Sequence, residues 1–487
     1  MNTVEKYLAL LLAAIPGAIS LAAEPSVYFR SNSGIAAADA VRLPAEEVES
    51  DDVVLWRTPL ASGHSSPCVC GERIFLTTFA DGKLATVGLD RASGKVLWTQ
   101  PAPHDRVEQV HPAGSPATST PACDGERVVV FFGSYGLLCY NLDGKVQWQL
   151  PLGPFQDEFG SGSSPVLVDG CVLLNQDHDR DNFLLCLDAA TGKTLWRTAR
   201  EGTTRSYATP VVAEFAASKV NDGSAKSKQI LVAGALQLTS YDFATGKPLW
   251  SIDGLARIVN TTPLVIGDML YVATWSPGGD SEARIGMEPW NTALAQWDKN
   301  NDKLLTREEC DNPEVLDRFY RIDLDQSQKL DEAEWVKYAR VFELAKNSVM
   351  ALRASDVPGN PPKLVWQTDK NIPYVPSPLV YRGALYMIKD GGILSALAAD
   401  DGRTLKVGRV PGGGKFFASP VAGDGKIYLT SDKGTLVVVK AADSAKDEPW
   451  EVLASRDFDE RTVATPALVD GRIYFRTEAA LYCLGRR

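Results

Sequence analysis

Two windows of twelve residues, 298–309 and 323–334, place oxygen-bearing side chains at the same five positions. Positions 1, 3, 5, 9 and 12 are Asp298, Asn300, Asp302, Thr306 and Glu309 in the first, and Asp323, Asp325, Ser327, Asp331 and Glu334 in the second. A tight loop with this spacing turns alternate side chains toward one hard cation. The position-7 carbonyl, here from Leu304 and Lys329, joins them, position 9 acts directly or through water, and the closing Glu binds through both oxygens. A shell made only of oxygen suits calcium. The second window has one more carboxylate than the first and is expected to bind more tightly. Position 6, normally the glycine of the sharp turn, is Lys303 and Gln328. A side chain held left-handed costs about 1–2 kcal/mol, which lowers affinity without abolishing it.

Such loops need a helix on either side. Residues 284–347 lose strand alternation and gain helical spacing, with Trp290, Leu294 and Trp297 on one face and Leu316, Phe319 and Ile322 on another. Pro289 is placed to start the first helix. Leu305 and Leu330 both stand at position 8, and Trp297 and Ile322 both precede their loops. The segment resembles a pair of EF-hands joined by a short strand contact.

The segment interrupts a repeat. Ser/Thr-Pro steps recur at Ser66, Thr120, Ser164, Thr209, Thr262, Ser377, Ser419 and Thr465. Each opens an apolar run, a Gly-containing turn such as Asp169-Gly170 and a second run, which reads as strand, tight turn, strand. A third run ends in a turn such as Asp188-Ala-Ala-Thr-Gly192, and a Leu-Trp strand follows. Four strands per copy make a propeller blade. The single long interval, Pro263 to Pro378, holds the helical insert in blade five. The eighth copy stops after its third strand at Leu484, and Val53–Trp56 can supply the fourth. The fold expected is all-β, an eight-bladed propeller of four-stranded blades closed by the N-terminal strand. Its organisation is a signal peptide over 1–23, an irregular polar lead-in over 24–52, blades over 53–283, the insert over 284–347 and the remaining blades over 348–487.

The strings Asp188 to Trp196 and Asp242 to Trp250 resemble the tryptophan-docking repeat of quinoprotein-like, PQQ-type eight-bladed propellers. The resemblance implies a Trp packed between blades over a turn Gly, with pairs such as Gly192 and Trp196. Lys406 stands where the sixth copy should have its Trp, and the seventh approaches Trp450 irregularly. Within that family one implied activity is a PQQ-dependent dehydrogenase oxidising an alcohol or sugar. Its vicinal Cys-Cys pair has no counterpart, Cys68-Val-Cys70 being the nearest approach, so PQQ is possible but not favoured and no catalytic residue is assigned. The other implied class is a non-catalytic propeller, similar in fold to a periplasmic lipoprotein of outer-membrane protein assembly. The reading favoured is an exported calcium-binding propeller that binds or scaffolds partners in the periplasm or envelope.

Charge and the terminus agree with export. A formal net charge of -11 opposes a polyanion partner, so no nucleic acid is expected. Lys6, the apolar stretch Tyr7–Leu21 and the small residues before Ala22 and Ala23 have the anatomy of a signal peptide cleaved there. No Cys follows for lipid attachment, and no later stretch reaches the ~20 apolar residues of a membrane span. Cys139, Cys186 and Cys483 share one third-strand position and read as small hydrophobes; Cys171 and Cys186 face each other across a hairpin where export permits a disulfide. His178, in a polar hairpin tip, reads as solvated.

The residues leading into the Ser/Thr-Pro steps include His64, Arg205, Tyr207, Arg257, Asn260, Tyr374, Lys415, Phe417 and Arg461. Strand direction puts them on the face that carries the insert, where an aromatic and basic cup at the channel mouth would take an anionic or sugar-like ligand or a peptide segment.

Overall fold

The Ser/Thr of each opening step has a job that spans two blades. The Ser66 backbone N–H donates to Thr120 Oγ1 at 3.0 Å, Thr120 N–H to Ser164 Oγ, Ser164 to Thr209, Thr209 to Thr262, Thr262 to Ser377, Ser377 to Ser419, Ser419 to Thr465, and Thr465 back to Ser66 Oγ at 3.1 Å. Eight hydroxyls therefore close a ring of hydrogen bonds around the channel. The step needs a short hydroxyl side chain because each buried N–H would otherwise be an unmatched donor.

The structure, a computed structural model, describes residues 27–36, 42–155, 157, 159–178, 180–216, 226–280, 284–357 and 359–486. The signal segment lies outside the described residues. Eight antiparallel four-stranded sheets radiate from the channel, each with its strands in chain order except the last. In that sheet Val54–Pro59 pairs with Ala480–Leu484, with Arg57 opposite Tyr482 and Pro59 opposite Ala480, so the two ends of the chain close the ring. Inner strands such as Arg127–Phe132 and Gly136–Asn141 are buried almost throughout because neighbouring blades cover both faces, whereas fourth strands such as Thr194–Ala199 alternate toward solvent.

Docking of the tryptophans corrects one implication of the resemblance. Gly192 lies under Trp148 of the preceding blade, where a Cβ would come within 2.6 Å of the indole, and Trp196 covers Gly246 of the following one. Four of these tryptophans donate Nε1 to a turn carbonyl of the next blade, Trp98 to Leu142, Trp148 to Ala189, Trp196 to Phe243 and Trp366 to Ala399, whereas Trp250 donates to Gln229 of its own blade. On its own sheet each Trp lies opposite a small third-strand residue, Gly88, Cys139, Cys186 or Cys483, which accounts for the cysteines at that position. In blade six Lys406 takes this place, its Nζ 4.1 Å over the Trp450 ring and donating to the Trp450 carbonyl.

Cys171 and Cys186 are free thiols. They sit diagonally, since Cys171 is opposite Asp188 and Cys186 opposite Leu173. The disulfide joins Cys70 and Cys123, on the first strands of adjacent blades.

The described parts of the lead-in, residues 27–36 and 42–52, are built into the ring. Val27 O accepts from Cys123 N–H, and Arg30 donates to Pro378 O at 2.6 Å and to Pro420 O at 3.1 Å, so residues 27–36 span one end of the channel from blades one and two to blades six and seven. Leu43, Ala45, Val48 and Val53 then pack with Tyr428, Leu436 and Ile473.

Candidate functional site

The insert folds as helices α1 (Trp290–Trp297), α2 (Pro313–Leu316), α3 (Phe319–Ile322) and α4 (Glu332–Leu344) around the buried Trp335, whose ring lies 5.7 Å from Trp290 and 6.0 Å from Trp297. Leu305 pairs with Leu330 across a two-residue ladder. Lys303 and Gln328 take φ of 61° and 66°, so position 6 makes the left-handed turn without glycine.

The two loops differ in readiness for a cation. In the second, carboxylate oxygens of Asp323, Asp325 and Glu334 lie within 4.8 Å of one another. Ser327 and Gln328 N–H groups donate to Asp323 at 3.0 and 2.8 Å, and Leu324 N–H to Glu334 at 2.7 Å, which fixes both carboxylates. Burial raises the affinity of Asp323 and of Glu334 for protons, a penalty on their charge that a bound cation would offset. Asp331 caps α4, accepting from Glu334 N–H at 2.8 Å. In the first loop Lys329 Nζ holds Asp302 at 2.9 Å, and Glu309 is turned onto Thr306 N–H and hydroxyl at 3.0 and 2.9 Å. Asp298 Oδ2 accepts from Lys303 N–H, while its buried Oδ1 has no hydrogen bond. Asn300 accepts from Asp302 N–H. The donor types fit calcium in both loops, with only the second converged.

α4 docks the insert on the ring. Val341 and Ala345 pack on Leu236, in the second-to-third-strand turn of blade four, and Lys346 N–H donates to Leu255 O in the connection to blade five. That is the face of the inter-blade connections, away from the Thr-Gly turns.

A cup of about 220 Å³ opens on the channel axis, floored by Phe29 and walled by Phe159, Tyr207, Tyr374 and Phe417, with the Ser/Thr ring below its rim. His64 and Asn260 also line it. The Tyr207 hydroxyl donates to Asp157 at 2.7 Å, Phe159 stands edge-on to Tyr207, and Asn260 donates to Tyr374 O at 3.2 Å. His64 Nε2 is 3.6 Å from Glu478, and burial lowers its pKa.

The basic half of the expected cup does not line it. Arg205 is buried, and Arg257 donates to Pro277 O, its pKa lowered to about 10 by burial. Arg461 pairs with Glu478, and Lys415 is solvent-exposed. The cup is aromatic because Arg257, Arg461 and Lys415 find a carbonyl, a carboxylate and water elsewhere. His178 is also corrected: it is buried, its ring 4.5 Å from Phe155, and burial lowers its pKa to about 4. Cys70, being bonded to Cys123, is not free to pair with Cys68. Phe29 and Phe159 were not singled out from the sequence; neither stands next to a Ser/Thr-Pro step.

Ring, forward-docked tryptophans and one-ended cup define an eight-bladed propeller of the PQQ-like repeat type. The family profile described as outer membrane protein assembly factor BamB matches residues 45–177, 143–217 and 180–304, and the chain belongs to that family. A relative of that name from Yersinia pestis is 24% identical over 417 residues, covering 81% of this chain and 90% of the relative. The crystal structure of BamB from Moraxella catarrhalis superposes with a TM-score of 0.53 at 11% identity, covering 89% of this chain and 98% of that one. The computationally designed Ika8 protein gives a TM-score of 0.51 at 10% identity over 88% of this chain and 97% of its own. Among the described residues no helix is long and apolar enough to cross a membrane.

Proposed function

We propose that this protein is an exported binding or scaffolding propeller of the bacterial envelope, working in the periplasm, and that its cup holds an apolar or aromatic side chain of an extended polypeptide segment. The observation that carries the reading is the aromatic cup floored by Phe29. Its volume of about 220 Å³ falls below the ~300–1,000 Å³ usual for small-molecule sites, which favours one or two anchoring side chains over a whole small ligand. The family name of the relatives, outer membrane protein assembly factor, supports a polypeptide client.

Calcium is the second part of the proposal. Asp323, Asp325, Ser327, Asp331, Glu334 and the Lys329 carbonyl hold the tighter ion, and Asp298, Asn300, Asp302, Thr306, Glu309 and the Leu304 carbonyl the weaker. The ions stiffen the insert beside the cup.

Fluorescence anisotropy with a labelled ten-residue peptide of alternating aromatic and polar residues tests the cup. Tyr374→Ala and Phe417→Ala should each weaken binding about tenfold or more, since buried aromatic anchors dominate such contacts. Arg461→Ala should leave it unchanged. Equal affinities throughout would remove the cup from the account.

A further inference from the structure

Behind the Tyr207 wall lies a second set of oxygens. Glu108, on the connection from blade one to blade two, is only 6% exposed, and among the described residues neither of its carboxylate oxygens has a well-formed hydrogen bond, the Ser161 N–H facing the carboxylate without completing one. Its backbone N–H donates to Ser134 Oγ at 3.0 Å, which fixes where the side chain starts. Gly133 leaves the room for it: a Cβ there would stand 2.5 and 2.6 Å from the two Glu108 oxygens and would also meet Ser161 Oγ. Gln176, 2% exposed, donates Nε2 to that same Ser161 Oγ at 3.3 Å and leaves its buried Oε1 without a partner. Asp157, also buried, accepts from the Tyr207 hydroxyl and, at 3.0 Å, from Phe159 N–H, both on Oδ1.

We propose that Glu108, Asp157, Gln176 and Ser161 form a binding site for a hard cation of the calcium class, set between blades two and three and separate from the loops of the insert. Burial first, and the Asp157 charge second, raise the Glu108 pKa to about 8, so the pocket penalises a bare carboxylate. A single proton would relieve only part of this, because it supplies one donor where the two Glu108 oxygens and the Gln176 oxygen all lack one. A cation with six to eight oxygen ligands answers all of them, and an all-oxygen donor set selects calcium-like ions over zinc or copper. Through Asp157 and Tyr207 the ion would brace the wall of the cup.

Counting calcium equivalents by equilibrium dialysis of the full chain tests the site. Glu108→Gln should lose one equivalent, both in the wild-type protein and in a Glu309→Gln/Glu334→Gln background. Gly133→Ala, which keeps every ligand but sets a methyl against the Glu108 oxygens and Ser161 Oγ, should lose the same equivalent. If the insert does not bind calcium, the Glu309→Gln/Glu334→Gln protein keeps the wild-type count while Glu108→Gln still loses one, so the two proposals fail separately. As a readout on folded protein with native ligands, terbium emission excited through tyrosine in the Glu309→Gln/Glu334→Gln background should fall severalfold with Tyr207→Phe. An unchanged count in both Glu108→Gln and Gly133→Ala, or no bound ion at all in the Glu309→Gln/Glu334→Gln background, would overturn the site.

Discussion

His178 shows how one side chain departs from its local sequence. Flanked by Asp177 and Asp181, it reads as a solvated tip. Asp177 is instead consumed by a buried pair, Arg200 Nε to Oδ1 at 2.7 Å and Nη2 to Oδ2 at 2.8 Å, and the imidazole turns in against Phe155 and Phe183. With the folded pKa at about 4 and the unfolded value near 6.5, the unfolded chain binds the extra proton first as pH falls. The stability of the neutral ring is therefore complete above pH ~6.5 and is lost between there and about 4, by roughly 2 kcal/mol between pH 7 and 5. Urea midpoints of wild type and His178→Phe at those two pH values check this. The wild type should lose more than the variant, and equal losses would mean that the ring does not titrate with folding.

At the scale of elements, the Ser/Thr ring turns a repeat into a closed girdle. Ser164→Ala removes the acceptor of the Thr120 N–H and leaves a buried donor unmatched, which should cost about 1–3 kcal/mol; a denaturant midpoint shift with unchanged slope is the check. In the insert, Glu334→Gln weakens a ligand that also holds Leu324 and Asp325 N–H groups. Calorimetry should show the tighter calcium site of the insert lost and its weaker one retained, and two unaltered insert sites would contradict the ligand assignment. Blade count, closing strand, insert position and the Leu305–Leu330 ladder were legible because each rests on local spacing. The partners of Trp148, Cys70, Arg257 and Arg30 were not, because they lie across blade boundaries and local sequence does not encode which turn a side chain meets. The same reason hid Glu108, whose neighbours Ser161 and Gln176 come from other connections and strands.

For the whole molecule, closure and plugging work together. Val54–Pro59 removes the open edge that Ala480–Leu484 would otherwise present, and residues 27–36 stop one end of the channel so that the other becomes a cup. Deleting 54–59 should expose that edge and convert cooperative unfolding into aggregation, visible by light scattering on heating; a monomeric, cooperatively unfolding deletion would show the strand to be dispensable. The central claim is that the plugged channel presents its aromatic mouth to polypeptide. Photo-crosslinking tests it most directly, with benzoylphenylalanine in place of Phe417 inside the cup and, as control, in place of Leu195 on an exposed fourth strand. The alternating aromatic peptide should cross-link at position 417 and be competed by unlabelled peptide, with little adduct at 195. Saturable binding of that peptide with adduct at 195 and none at 417 would contradict it.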